Sequence, residues 1–194
     1  MLQIIEIVLC VFMVFMNGPA QASSQWQVSQ KKSRVVFILH STMHEVDGQA
    51  PELFGRFEQQ ENLIKGFVDV GVSGLTTDNE IRDRAMYKMF DASQYAQIHF
   101  TFKDVNLANV LEGHEGDVIF SGEMTIHHIS HPMSIISTGR MTGNTFICEG
   151  QMLISLKDYD LKPPSVLGII RVKDSVLVQF NIVFSKKGND YESI

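Results

Sequence analysis

The sequence predicts an all-β protein, an eight-stranded antiparallel up-and-down barrel with one short amphipathic helix. Three observations predict it. Apolar residues recur at every second position over long stretches, the pattern of strands that bury one face. Gly, Asn, Asp and Ser punctuate these stretches, including Gly113, Gly116, Gly139 and Gly143-Asn144, so sequence neighbours are joined by short turns and pair antiparallel. A single segment, 78–91, abandons the two-residue period for helical spacing. Closure into a barrel follows because it removes the exposed edges of an open sheet. A chain of 194 residues is long enough for one such domain with a real core.

The elements run as follows. Residues 1–22 (MLQIIEIVLCVFMVFMNGPAQA) contain 16 hydrophobic residues, with an unbroken apolar run from Ile7 to Met16. The helix-breaking Asn17-Gly18-Pro19 and then Ala20-Gln21-Ala22 follow, the layout of a secretory signal peptide cleaved near Ala22. Glu6 stands where that layout has Lys or Arg. The apolar run is about half of the roughly 20 residues that a membrane span needs, so export to the periplasm or secretion is expected, rather than anchoring. This leader accounts for a mean hydropathy of +0.03 over the whole chain.

The domain is expected over residues 23–188, with 189–194 a flexible tail. Strands are predicted near Gln25–Ser29, at Val35–Ser41 and at Ile64–Val72. Thr77-Asp78-Asn79-Glu80 then reads as a capping box, with Thr77 bonding the amide at Glu80. Ile81, Ala85 and Met89, with the adjacent Met86 and Phe90, continue it as an amphipathic helix over 78–91. Ile98, Phe100 and Phe102 next alternate with His99, Thr101 and Lys103. Val118, Phe120, Met124 and Ile126 alternate with Ser121, Glu123, Thr125 and His127. Less clean rows cover Met133–Thr138 and Phe146–Leu156. The last row is Val176, Val178, Phe180, Ile182 and Phe184.

Composition excludes several functions. Sixteen Lys and Arg against 22 Asp and Glu, a net charge of −6, provide no basic surplus for gripping phosphates, so nucleic acid is not an expected partner. Cleavage of the leader would remove Cys10 and leave Cys148 alone, which forbids an internal disulfide. Cys148 lies in the row Phe146, Cys148, Gly150, Met152, Ile154 and reads as a small buried hydrophobe. No G-x-S-x-G occurs, no catalytic residue is predicted, and the protein is not expected to be an enzyme.

Two polar groups stand out. His127-His128-x-x-His131 has imidazoles at close spacing, but alternation turns His127 outward and puts the other two in the turn before Pro132. No metal site is therefore predicted, and a metal-binding enzyme or sensor built on these three residues stands as the alternative. Arg82-Asp83 either ties the helix to the barrel rim or holds a ligand head group. Adjacent helical side chains point about 100° apart, so the two need not share a target.

The inward rows are the candidate ligand site. They supply Phe37, Leu39, Val68 and Val70, then Ile98, Phe100, Phe102, Met124 and Ile126. Met133, Ile135, Phe180 and Ile182 complete the wall, and Met86, Met89 and Phe90 on the helix close one mouth. An eight-stranded barrel can be filled by its side chains or hold one small ligand, and alternation alone does not choose.

Four stretches in order carry a resemblance. They are Ser33–His40 with His44-Glu45-Val46-Asp47-Gly48, then Leu75-Thr76-Thr77 with Ile81-Arg82-Asp83-Arg84-Ala85-Met86, Met89-Phe90-Asp91, Tyr95 and Ile98-His99-Phe100. The third is Gly122–Met133, in which His128 and His131 replace a usual glycine and a basic residue. The fourth is Lys157-Asp158-Tyr159-Asp160-Leu161 with Pro163/Pro164, Leu167-Gly168 and Val172-Lys173-Asp174. From Gln25 to about Ser185 the chain resembles the YceI-like family of exported, lipocalin-like barrels. The resemblance implies a non-catalytic protein that sequesters or carries a polyisoprenoid, an isoprenoid quinone or a fatty-acyl lipid, with no other cofactor. It favours an open cavity over the alternative of a filled-core interaction module in the envelope stress response. Transient membrane contact is compatible with it, and a homodimer is left open.

Overall fold

The computed structural model describes residues 23–41, 45–110, 113–163 and 172–187. The expected leader, the tail, His44 and Leu167-Gly168 lie outside the described residues. Ten strands are present: β1 (Ser24–Val28), β2 (Arg34–Ser41), β3 (Glu45–Gln49), β4 (Leu53–Gln60), β5 (Leu63–Gly71), β6 (Gln97–Asn106), β7 (Glu115–Ile126), β8 (Ile129–Thr142), β9 (Thr145–Ser155) and β10 (Val172–Lys186). Among the described residues there is one α-helix, α1 (Glu80–Met89), between β5 and β6.

The ring runs β1-β4-β5-β6-β7-β8-β9-β10 and closes by β1 pairing with β10, all antiparallel. That is the expected closed eight-stranded barrel, but its first staves are arranged differently. β1 and β2 lie on the same edge of β10, with Val28 opposite Phe184 and Phe37 opposite Val178. They are two segments of one stave, interrupted by a 3-10 turn at Gln30–Lys32. β3 and β4, pairing with β2 and β1 respectively, form the next stave. The sequence pattern counted the first stave twice and passed over the second. The physical reason is that the inward positions of β3 and β4 include Gly48 and Gly55, both buried, so the apolar alternation is blank where it should be strongest.

The helix is also shorter than expected. Asn79, not Thr77, caps it, accepting from the amides of Ile81 and Arg82 at 3.1 Å each. Thr77 is occupied elsewhere.

The lumen has two halves. At one end Trp26, Phe57, Phe146 and Phe184 pack ring on ring. Phe57 stacks on Trp26 at 5.4 Å and meets Phe184 and Phe146 edge-on at 4.9 and 5.8 Å. Ile64, Val105 and Val118 fill the space around them. After β6 the chain turns in and buries Leu107 and Val110 completely. The other end is hollow.

Candidate functional site: a half-hollow barrel under a helical lid

The hollow half encloses a cavity of about 380 Å³, at the small end of the roughly 300–1,000 Å³ usual for ligand pockets. Its wall is formed by inward residues of β2, β3 and β5 to β10, and Phe184 is its floor toward the packed end. Among the described residues, the polar side chains of its lining are Thr77 and Arg82, apart from the Cys148 thiol. Burial pushes that thiol up to about 12, against a weaker opposing hydrogen bond with the Ile182 backbone, so it is a protonated apolar contact and no nucleophile.

Of the residues expected from sequence to contact a ligand, all but Met133 line this cavity: Phe37, Leu39, Val68, Val70, Met86, Met89, Phe90, Ile98, Phe100, Phe102, Met124, Ile126, Ile135, Phe180 and Ile182. Met133 is partly buried against the core instead. It sits one inward step along β8 from His131, whose ring packs edge-on against Tyr159 at 5.1 Å. The β8–β9 ladder spans only Ser137–Thr142 with Thr145–Gly150. Beyond it, the 3-10 turn Leu156–Tyr159 packs on β8 through the contacts of Asp158 and Tyr159 with His131.

Several lining residues were not anticipated. Val35, Phe120, Cys148, Met152, Ile154, Val176 and Val178 belong to the same alternating rows and could have been found by extending them. Val46 and Ala50 come from the stave that alternation missed. Thr77 carries no apolar signal, because it lines the mouth and not the wall, whereas Ile81 stands on the apolar face of the helix and could have been found there.

The mouth is covered by α1, and three of its side chains, Arg82, Asp83 and Tyr87, hold it to the strand-like segment Leu75–Thr77. That segment is itself bridged to β3, Gln49 N–H donating to Thr76 O at 2.7 Å and Thr76 N–H to Gln49 O at 3.0 Å. Asp83, only 9 % exposed, accepts from Thr76 Oγ1 at 2.8 Å, from the Thr77 amide at 2.8 Å and from Thr77 Oγ1 at 2.6 Å. Burial works to raise the Asp83 pKa, but these hydrogen bonds and the neighbouring Arg82 charge outweigh it and hold the carboxyl below its ordinary value. Arg82 donates from Nε to Thr77 Oγ1 at 3.2 Å and from Nη2 to Thr77 O at 3.0 Å. Tyr87 donates its hydroxyl to Leu75 O at 2.6 Å. Arg82 and Asp83 thus share Thr77 as a target. Arg82 lines the rim of the cavity, whereas Asp83 does not and serves the hinge of the lid.

The histidines are dispersed. His127, at a φ of 59°, and His128 make the β7–β8 turn with their Nδ1 atoms 2.6 Å apart, and Tyr95 packs on His127 at 4.0 Å. His131 lies on β8, not in the turn, and its Nε2 is 2.9 Å from Asp158 O. Among the described residues no group of three or more His, Cys, Asp or Glu side chains is placed to hold a metal ion.

A closed antiparallel barrel with one packed end, one apolar cavity and a helical lid defines a class of binding-type β-barrels. The family model of the YceI-like domain matches residues 26–184, and the chain belongs to that family. Its fold is similar to that of a polyisoprenoid binding domain from Saccharophagus degradans implicated in plant cell wall breakdown. That likeness has a TM-score of 0.71 at 15% identity and covers 84% of this chain and 98% of that one. BcnA of Burkholderia cenocepacia is similar with a TM-score of 0.67 at 16% identity, covering 80% and 98%. The YCEI protein of Campylobacter jejuni is similar with a TM-score of 0.59 at 14% identity, covering 77% and 89%. No curated protein matches the sequence.

Proposed function

We propose that this protein is a non-catalytic, exported carrier that binds one long-chain apolar ligand in the hollow half of its barrel. The ligand class is a polyisoprenoid, an isoprenoid quinone or a fatty-acyl lipid. The observation that carries the reading is the lining of the cavity, apolar throughout except at the mouth, where Thr77 and Arg82 stand. The name of the Saccharophagus degradans domain, a polyisoprenoid binding domain, points the same way.

The chemistry favours a single chain lying tail-inward. Each buried methylene contributes about 0.8 kcal/mol, so affinity accumulates along the tail without polar recognition. A head group is left at the rim, where Arg82 spends two of its donors on Thr77 and keeps others free. Export rests on the leader-like residues 1–22 and the A-x-A pattern at Ala20–Ala22.

Native mass spectrometry of protein purified from its own host tests this reading. The expected result is a discrete co-purifying apolar molecule at one per chain. Repeated recovery of an empty barrel that takes up no apolar dye would overturn it.

A further inference from the structure

Helix α1 presents two chemically different faces. Ala85, Met86 and Met89 look into the cavity. Glu80, Arg84 and Lys88, spaced four apart, form an exposed ridge on the other side. Ile81 belongs to both. It lines the cavity mouth and is 74 % exposed, the highest value for a large hydrophobic side chain among the described residues.

An exposed isoleucine alone carries no meaning. What distinguishes Ile81 is its company. Arg84 and Lys88 lie three and seven residues on, hence on the same face, in a chain whose net charge is −6. Arg84 is paired with Glu80 at 3.4 Å, but both side chains are largely exposed, so the pair is weak and either partner is free to exchange. An apolar residue flanked by two cations, Arg84 and Lys88, directly at the opening of an apolar cavity, is complementary to a surface that is apolar beneath and anionic above.

We infer that the exposed face of α1, Ile81 together with Arg84 and Lys88, is a docking surface for an anionic phospholipid bilayer, seating the cavity mouth on the membrane. The inference rests on the lipid-binding reading and supplies what that reading lacks, a route for loading. A chain crossing water suffers a roughly fourfold equilibrium penalty for every exposed methylene. A mouth seated on the bilayer lets the chain move from one apolar medium to another. Glu80 and Asp78, the opposing charges at the start of the helix, place the strongest attraction toward Lys88.

The test uses flotation with vesicles of phosphatidylcholine alone and of an equal mixture with phosphatidylglycerol, all variants sharing one N-terminus. Uptake of N-phenyl-1-naphthylamine in solution reports the cavity separately. The wild type is expected to float with the mixed vesicles and to be released by salt. Arg84→Gln with Lys88→Gln is expected to weaken flotation roughly 30-fold. Dye uptake by this double variant stays intact, because neither residue lines the cavity. Ile81→Asp is expected to lose flotation, while Phe54→Ser, half-exposed on the outer wall of β4, floats as the wild type does. Equal partition to both vesicle types, or wild-type flotation of the double variant, would overturn docking while leaving the cavity reading in place. A wild type that takes up no dye would overturn the cavity reading, and docking with it.

Discussion

The packed end and the hollow end of this barrel draw on the same residue types, and they differ in what each aromatic ring faces. At the packed end Phe57 meets Trp26, Phe146 and Phe184 across the lumen, and the rings exclude one another's solvent. At the hollow end two of the rings, Phe37 and Phe180, face glycines in the adjacent strand. Phe37 lies opposite Gly48, and a Cβ there would come within 2.1 Å of Phe37 Cζ. Phe180 lies opposite Gly150, where a Cβ would come within 2.9 Å of Phe180 Cζ. A glycine lets the ring lie flat against the wall instead of projecting inward, so a row of large side chains can line a cavity without filling it. At Phe37 and Phe180 the space left for a guest is therefore set by the cross-strand partner and not by how apolar the strand is.

The comparison can be broken most forcefully at Phe57. Phe57→Ala removes a ring that is 1 % exposed and is expected to cost about 4 kcal/mol in urea unfolding. Phe180→Ala, on a half-buried ring beside an existing cavity, is expected to cost about half as much. Equal losses at the two sites would mean that the ends are packed alike.

Adding bulk reverses the logic. Val118→Trp in the packed half is expected to destabilise by about 3 kcal/mol, because the site has no room. Val68→Trp, on the cavity wall, is expected to cost under about 1 kcal/mol, the indole entering free space. Thermal unfolding of the pair reads the contrast directly.

The lid gives an intermediate effect. Asp83→Asn is expected to cost about 2 kcal/mol by weakening charge-assisted bonds to Thr76 and Thr77, and to speed ligand exchange. The folded Asp83 pKa lies below its ordinary 3.8. Its contribution is therefore complete above that ordinary value and disappears as pH falls through the lower folded one. Unfolding followed into the acid range should show this step in the wild type and lack it in Asp83→Asn.

The smallest effect is expected at Gly48. Gly48→Ala forces the Phe37 ring off the wall and into the lumen, displacing about one methylene of ligand. Dye affinity is expected to fall about fourfold with the fold unchanged.

Much of this architecture was legible in the sequence. Wherever inward positions carry side chains, as at Ile98, Phe100 and Phe102 or Val176 to Phe184, alternation marks both the strand and the cavity wall. It fails where an inward glycine falls in a short strand, as Gly48 does in β3, or beside an outward aromatic, as Gly55 does next to the exposed Phe54 in β4, and so alternation passed over both. The cap passed from Thr77 to Asn79 because Thr77 is held by Asp83 and Arg82, a tertiary contact that overrides local capping chemistry. Met133 stands on the same inward row as Ile135 but outside the cavity lining, because the packing of the Leu156–Tyr159 turn on β8 leaves no trace in periodicity. The division into a packed and a hollow half was hidden for a related reason: it depends on which residue faces which across neighbouring strands.

Titration of the wild type, Val68→Trp and Val118→Trp with N-phenyl-1-naphthylamine tests the central claim most directly. The account predicts saturable binding of one dye per chain by the wild type. It predicts at least about tenfold weaker binding by Val68→Trp, and wild-type affinity for whatever fraction of Val118→Trp is folded. Undiminished binding by Val68→Trp would contradict it, as would a wild type that binds no dye.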